Sequence, residues 1–181
     1  MTATLPRRLA LLAALFSLAT LPGCKSKPAW QVVSYPTEGF RASFPTQPKL
    51  QKKYISVDAD ILEVRMYVAE TQDDEPEGAL MVGVADSGPG NHGLPDVQLD
   101  NVRNLSLAAA HAHLIGEKKI ALGAWPGRAT ESESDTIHFS ARSYLAGDVL
   151  YQTLVVTQRG VTYRNTARFL DSFQVIPRVT K

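Results

Sequence analysis

The chain has 181 residues, with 19 Lys and Arg set against 18 Asp and Glu, and 44% of it is hydrophobic. That near balance, a formal net charge of +1, provides no basic field for nucleic acid or for an anionic membrane surface. A single cysteine excludes an intrachain disulfide, so the folded part must hold itself by its core.

The first segment is a leader. Arg7 and Arg8 supply a positive front, and Leu9 to Leu21 is almost unbroken apolar sequence. That run is too short to span a bilayer, which needs ~20 helical residues, and it fits an export signal instead. Leu21 and Gly23 stand where a lipoprotein peptidase prefers them, and Pro22 departs from the small residue usual between them. Arg7-Arg8 lacks the Ser or Thr before it and the Phe after it that twin-arginine export favours, so ordinary secretion is expected. A lone cysteine is ordinarily a buried thiol. Cys24 follows the apolar run directly, and this context predicts covalent lipidation there, after removal of residues 1–23. Lys25 is not the aspartate that retains many lipoproteins in the inner membrane. The expected address is therefore the bacterial envelope, at the outer membrane and facing the periplasm. Residues 24–29 read as the anchored tether, 30–176 as one globular domain and 177–181 as a tail.

Beyond Trp30 the dominant signal is alternation with period two, the mark of half-buried strands. In 61–69, Leu62, Val64, Met66 and Val68 share one face, opposite Glu63, Arg65 and Tyr67. In 79–85, Leu80, Val82 and Val84 alternate with Ala79, Met81, Gly83 and Ala85. Asp58-Ala59-Asp60 separates the first of these runs from 49–57, as a turn between antiparallel neighbours. The acidic cluster Asp73-Asp74-Glu75-Pro76-Glu77 lacks the alternating ligands of a calcium loop and reads as a solvated turn. Gly88-Pro89-Gly90-Asn91-His92-Gly93 matches G-x-G-x-x-G between a strand and a helix. Pro89 inside the turn, the delaying Leu94-Pro95, and Ala108-Ala109-Ala110 where a ribose-binding acid belongs all favour a plain connection.

A helix is predicted over 96–111, with Val102, Leu105 and Ala109 on one stripe and Asp96 as N-cap after Pro95. His111 and His113 follow, and a metal reading of the pair takes Glu117 as its third ligand. Cations at a helix C-terminus have an ordinary electrostatic reason to be there. Glu131, Glu133 and Asp135 would share one exposed strand face, and His92 and His138 have no partners nearby in sequence. Runs 137–145 and 149–157, joined by Ala146-Gly147-Asp148, predict a hairpin. Ile137, Phe139, Ala141 and Leu145 lie opposite His138, Ser140, Arg142 and Tyr144. A second helix is predicted over 162–173, with Tyr163, Thr166, Leu170 and Phe173 on its stripe and Asp171 pairing with Arg168. Strands, helix, strands, helix is an α+β order with a largely antiparallel sheet.

Several strings carry a family resemblance. They are Phe44-Pro45-Thr46-Gln47-Pro48, Gly127-Arg128, Arg142-Ser143-Tyr144-Leu145-Ala146-Gly147 with Leu150-Tyr151-Gln152, and Phe169-Leu170-Asp171-Ser172-Phe173. In this order they resemble the PsbP-like family over residues 30–176. That family includes DcrB-type bacterial lipoproteins and, by fold, the extrinsic photosystem protein PsbP and a Ran-binding nuclear import factor. The resemblance implies an α/β/α sandwich around an antiparallel sheet. It implies accessory or assembly roles rather than a reaction, and fold analogy is a weak warrant for function.

No G-x-S-x-G elbow, Walker motif or H-E-x-x-H is present. The leading expectation is a non-enzymatic, lipid-anchored accessory domain that binds another envelope protein through an edge bearing Arg142, Tyr144, Tyr151 and the 86–95 loop. It needs no cofactor beyond the lipid on Cys24. The alternative is a periplasmic protein binding a small ligand, or a metal through His111, His113 and Glu117.

Overall fold

Side chains alternate across extended backbone, so each long strand must find cover for two faces. The computed structural model describes residues 29–57, 60–72, 75–86 and 93–179. Residues 1–28, which hold the expected leader, Cys24 and most of the expected tether, and all of the glycine-rich 88–93 string but Gly93 lie outside the described residues. Among the described residues no helix is long and apolar enough to cross a membrane.

The elements in chain order are β1 (Gln31–Tyr35), β2 (Phe40–Phe44), β3 (Lys49–Val57), β4 (Asp60–Glu70), β5 (Gly78–Asp86) and α1 (Pro95–Ala110). Then come β6 (His113–Leu122), β7 (Trp125–Glu133), β8 (Ile137–Ala146), β9 (Val149–Gln158), α2 (Thr166–Ser172) and β10 (Gln174–Val175). Seven strands form one sheet in the order β3-β4-β5-β9-β8-β7-β6, and β1-β2-β10 form a second. Every pairing is antiparallel. The expected β8–β9 hairpin closes with Ala146 opposite Val149, and Gly147 takes the positive φ of 63° that this tight turn requires.

The architecture is α+β and rich in strand, which corrects the expected α/β/α sandwich. One face of the large sheet is covered by α2 together with the small sheet. The other carries α1, which rests mainly on β7 and β8.

The packed face holds the core. Tyr67, Leu80, Val82, Val84, Tyr144 and Tyr151 point from the large sheet toward Phe40, Phe44, Phe169 and Phe173. Aromatic rings run through it: Phe173 stacks on Tyr144 at 5.8 Å with ring planes 4° apart, and contacts Phe40 at 6.0 Å and Tyr151 at 5.6 Å. Such rings combine large buried area with geometric preference, so they fix the docking of α2 closely. Gly39 sits at φ 79°, and a β-carbon there would lie 2.6 Å from the Tyr151 hydroxyl. The bare backbone lets that hydroxyl donate to the Glu38 carbonyl at 2.8 Å.

Helix details depart from the sequence reading in three places. Leu94, not Asp96, is the N-cap of α1, because Pro95 already occupies the first turn and Asp96 is drawn away to Lys119 and Arg128. The second helix begins at Thr166 rather than 162, after a turn in which the Thr166 hydroxyl donates to the Tyr163 carbonyl at 2.7 Å. Asp171 pairs with Arg142 of β8 at 2.6 Å instead of Arg168, whose guanidinium lies 4.6 Å over the Trp30 ring.

Candidate functional site

The second face of the large sheet is apolar but incompletely covered. Val64 and Met66 of β4, Met81 of β5, Phe139 of β8, and Leu150 and Leu154 of β9 project there, all half-buried. Between this floor and the side of α1 bearing Val102, Leu105 and Ala109 lies a groove of about 670 Å³. Its size falls in the range of ligand sites, roughly 300–1,000 Å³. Gly83 gives the floor depth: a β-carbon added there would find its nearest neighbours at 3.8 and 3.9 Å, in ordinary contact. The α1 helix buries only Leu99 fully, and Leu105 stays 44% exposed. Its predicted stripe therefore forms one wall of the groove rather than part of a closed core.

Polar groups are few and placed. The Gln152 amide donates to the hydroxyls of Ser106 and Ser143 at 3.3 and 3.4 Å, tying α1 to the floor. At the α1 side, three cations meet three carboxylates. Arg103 pairs with Glu117 at 2.7 Å and Asp100 at 3.2 Å. Arg128 reaches Asp96 at 2.8 Å and Asp100 and Glu117 at 3.5 Å, and Lys119 pairs with Asp96 at 2.8 Å. Burial pushes the Arg128 pKa down, but the hydrogen bond to Asp96 and the three carboxylates outweigh it and hold it above its ordinary value. Hydrogen bonds from Lys119 and Arg128 hold Asp96 below the usual carboxylate value. This network clamps α1 to β6 and β7 while cancelling its own charge.

The opposite side is different. The register of β3 on β4 places Lys49, Gln51, Lys53 and Ile55 on the groove face, and Lys53 and Ile55 line the groove itself. Among the described residues neither Lys49 nor Lys53 has a carboxylate partner.

The residues singled out from sequence fall elsewhere. Tyr144 and Tyr151 are 3% and 1% exposed, so the expected aromatic rim does not exist. Both belong to the core, because the packed face offers their rings partners and burial, which pushes both hydroxyl pKa values up. Arg142 is spent on Asp171. His111 closes α1 in the left-handed region at φ 48°, and its N–H donates to the Ala108 carbonyl. His113 opens β6, exposed, while both oxygens of Glu117 are taken by Arg103. Among the described residues no three His, Cys, Asp or Glu side chains are arranged to hold a metal ion.

Two further readings change. Glu75 is not solvated: its side chain is 3% exposed and accepts from Asn165 at 2.7 Å, just ahead of α2. His138 does have partners, Glu131 at 2.9 Å and Glu133 at 3.2 Å across the β7–β8 pair, which makes that carboxylate face less open than expected. Ser140 lies 3.3 Å from His138, giving the outline of a nucleophile, base and acid. The Ser140 hydroxyl donates to Glu131 at 2.6 Å, however, and none of these residues lines the groove. The ion-paired wall and the lysine edge were missed from sequence; the only signal for the latter was Lys49, Lys53 and Ile55 on one strand parity.

No protein-family model matches this chain, and no curated protein matches it. Among solved structures, it is similar to the solution structure of cyanobacterial PsbP (CyanoP) from Synechocystis, with a TM-score of 0.45 and 14% identity. The match covers 87% of this chain and 98% of that one.

Proposed function

We propose that this protein is a lipid-anchored envelope binding protein, and that it holds an apolar small molecule in the groove between α1 and the large sheet. The observation that carries the reading is the groove itself: an apolar floor of half-buried side chains beside a fully packed opposite face. Stable domains rarely leave contiguous apolar surface open without use. The role is accessory, taking up or presenting a ligand rather than transforming it. Burial of Tyr144 and Tyr151 removes the surface on which capture of an envelope protein was expected, and favours the small-ligand alternative. Metal binding through His111, His113 and Glu117 loses its support, since Glu117 serves α1. Anchoring through Cys24, export, outer-membrane sorting and kinship with DcrB-type lipoproteins rest on the leader and on the quoted strings.

The test is to fill the groove. A fluorescent apolar probe such as N-phenyl-1-naphthylamine is titrated into the protein and into Gly83→Leu. Saturable binding by the parent and at least roughly tenfold weaker binding by the variant, with an unchanged circular dichroism spectrum, is the expected result. Equal binding by both places the probe elsewhere and overturns the reading. Anchoring is checked separately by palmitate labelling of cells, which Cys24→Ala abolishes.

A further inference from the structure

The two sides of the groove differ in charge. On the α1 side, Arg103, Lys119 and Arg128 are matched by Asp96, Asp100 and Glu117. On the β3 side, Lys53 lines the groove and Lys49 follows on the same strand face, about 13 Å along at ~3.3 Å per residue. Lys52, on the other face of β3, does have a partner in Glu63 at 3.2 Å. On β3, the two lysines without a carboxylate partner among the described residues are thus the two that face the groove. Both are exposed, so holding their charge costs nothing in the empty protein. Lysines on an edge strand also discourage strand pairing, which accounts for charge on β3 but not for the absence of partners on this face alone.

Resting on the groove reading above, we infer that the ligand is an anionic amphiphile, with its aliphatic chain on the floor of Val64, Met66, Met81 and Leu154 and its acidic head against Lys53 and Lys49. The chain supplies affinity in proportion to the apolar area it removes from water. The head supplies selection, because a neutral head gains no charge-assisted contact and a cationic one is repelled. Arg103 and Arg128 do not compete for the head, since their guanidinium groups are already engaged and an anion there would displace a carboxylate.

The experiment compares ten-carbon chains that differ only in the head: decanoate, decanol and decylammonium, titrated calorimetrically below their micellar concentrations at neutral pH and low salt. The purified protein is expected to bind decanoate roughly fivefold more tightly than decanol, with decylammonium weakest, and the preference should shrink as salt is added. Lys49→Ala/Lys53→Ala should lose the preference for decanoate while keeping its affinity for decanol. Lys49→Arg/Lys53→Arg should keep both. Equal binding of decanoate and decanol by the parent, or a preference that survives the double alanine variant, overturns the assignment of the head while leaving the groove intact. Failure of all three chains to bind overturns the groove reading, and the head-group assignment with it.

Discussion

The two faces of the large sheet are built from the same strands, one residue out of step, and they finish differently. On the α2 side, Tyr144, Tyr151 and Phe173 are 3%, 1% and 2% exposed, with Phe173 stacked on Tyr144 and tilted against Tyr151. On the α1 side, Met66, Met81 and Leu154 are only half-buried, and a groove of about 670 Å³ separates them from the helix. The difference lies in what covers each face. A helix and a three-stranded sheet together fill the first with aromatic rings. A single helix that fully buries only Leu99, clamped at one side by ion pairs, leaves the second open. One face stabilises the domain; the other is available for a ligand.

Truncation should separate the faces most strongly. Phe173→Ala removes a ring that three other rings contact, and should cost about 3–5 kcal/mol in chemical denaturation. Met81→Ala on the groove face should cost roughly 1 kcal/mol, since a half-wet side chain gives up less. Equal costs would mean the groove face is as tightly packed as the other. Tyr144→Ala belongs with Phe173→Ala and should destabilise the fold.

Next in size is the clamp. Arg128→Ala leaves Asp96, Asp100 and Glu117 short of a buried partner and should cost about 2 kcal/mol. Hydrogen exchange should quicken in α1 while α2 stays protected. If both helices loosen together, the faces are not independent.

Acid should act through the paired carboxylates. Burial alone would raise the Asp86 pKa, but hydrogen bonds from Arg65 at 2.6 Å and Arg178 at 2.6 Å outweigh it and hold it low. A carboxyl depressed in the folded state stabilises above its unfolded pKa of about 4 and loses that contribution as pH falls through its folded value. The melting temperature should therefore fall progressively below about pH 4, and less steeply in Asp86→Asn, which never carried the charge. A slope unchanged by that substitution would remove Asp86 from the account.

The smallest expected effect on stability is also the most diagnostic. Gly83 lines the groove and a β-carbon there meets only ordinary contacts, so Gly83→Leu should shift stability by less than about 1 kcal/mol while ligand binding is lost. A large destabilisation would show that the groove is narrower than the geometry gives.

Alternation and the two neighbouring pairs, 49–57 with 61–69 and 137–145 with 149–157, were legible in the chain, but not which face would be core. Val64, Met66 and Met81 on one parity are as apolar as Leu80, Val82 and Val84 on the other, so periodicity alone cannot choose between them. The choice was made by Phe40, Phe44 and Phe173, brought in from distant segments. Tyr144 and Tyr151 looked suited to a rim because a phenol fits either a wet edge or a satisfied core. The acceptor for Tyr151 is the Glu38 carbonyl, 113 residues away in sequence. The β6 strand gave no signal because it is an edge strand, with Glu117, Lys118 and Lys119 in succession across its two faces. Glu117 drew a metal reading from two nearby histidines, yet its partners are Arg103 on a helix and Arg128 on the neighbouring strand.

The central claim is that one face holds the fold and the other receives a ligand. The most direct measurement is a methyl and aromatic NMR titration of the protein with decanoate. The account predicts shifts confined to the groove face, among them Val64, Met66, Met81, Phe139, Leu150 and Leu154, with Tyr144, Tyr151 and Phe173 unmoved. Shifts concentrated on the aromatic face, or no saturable shifts on the groove face, would contradict it.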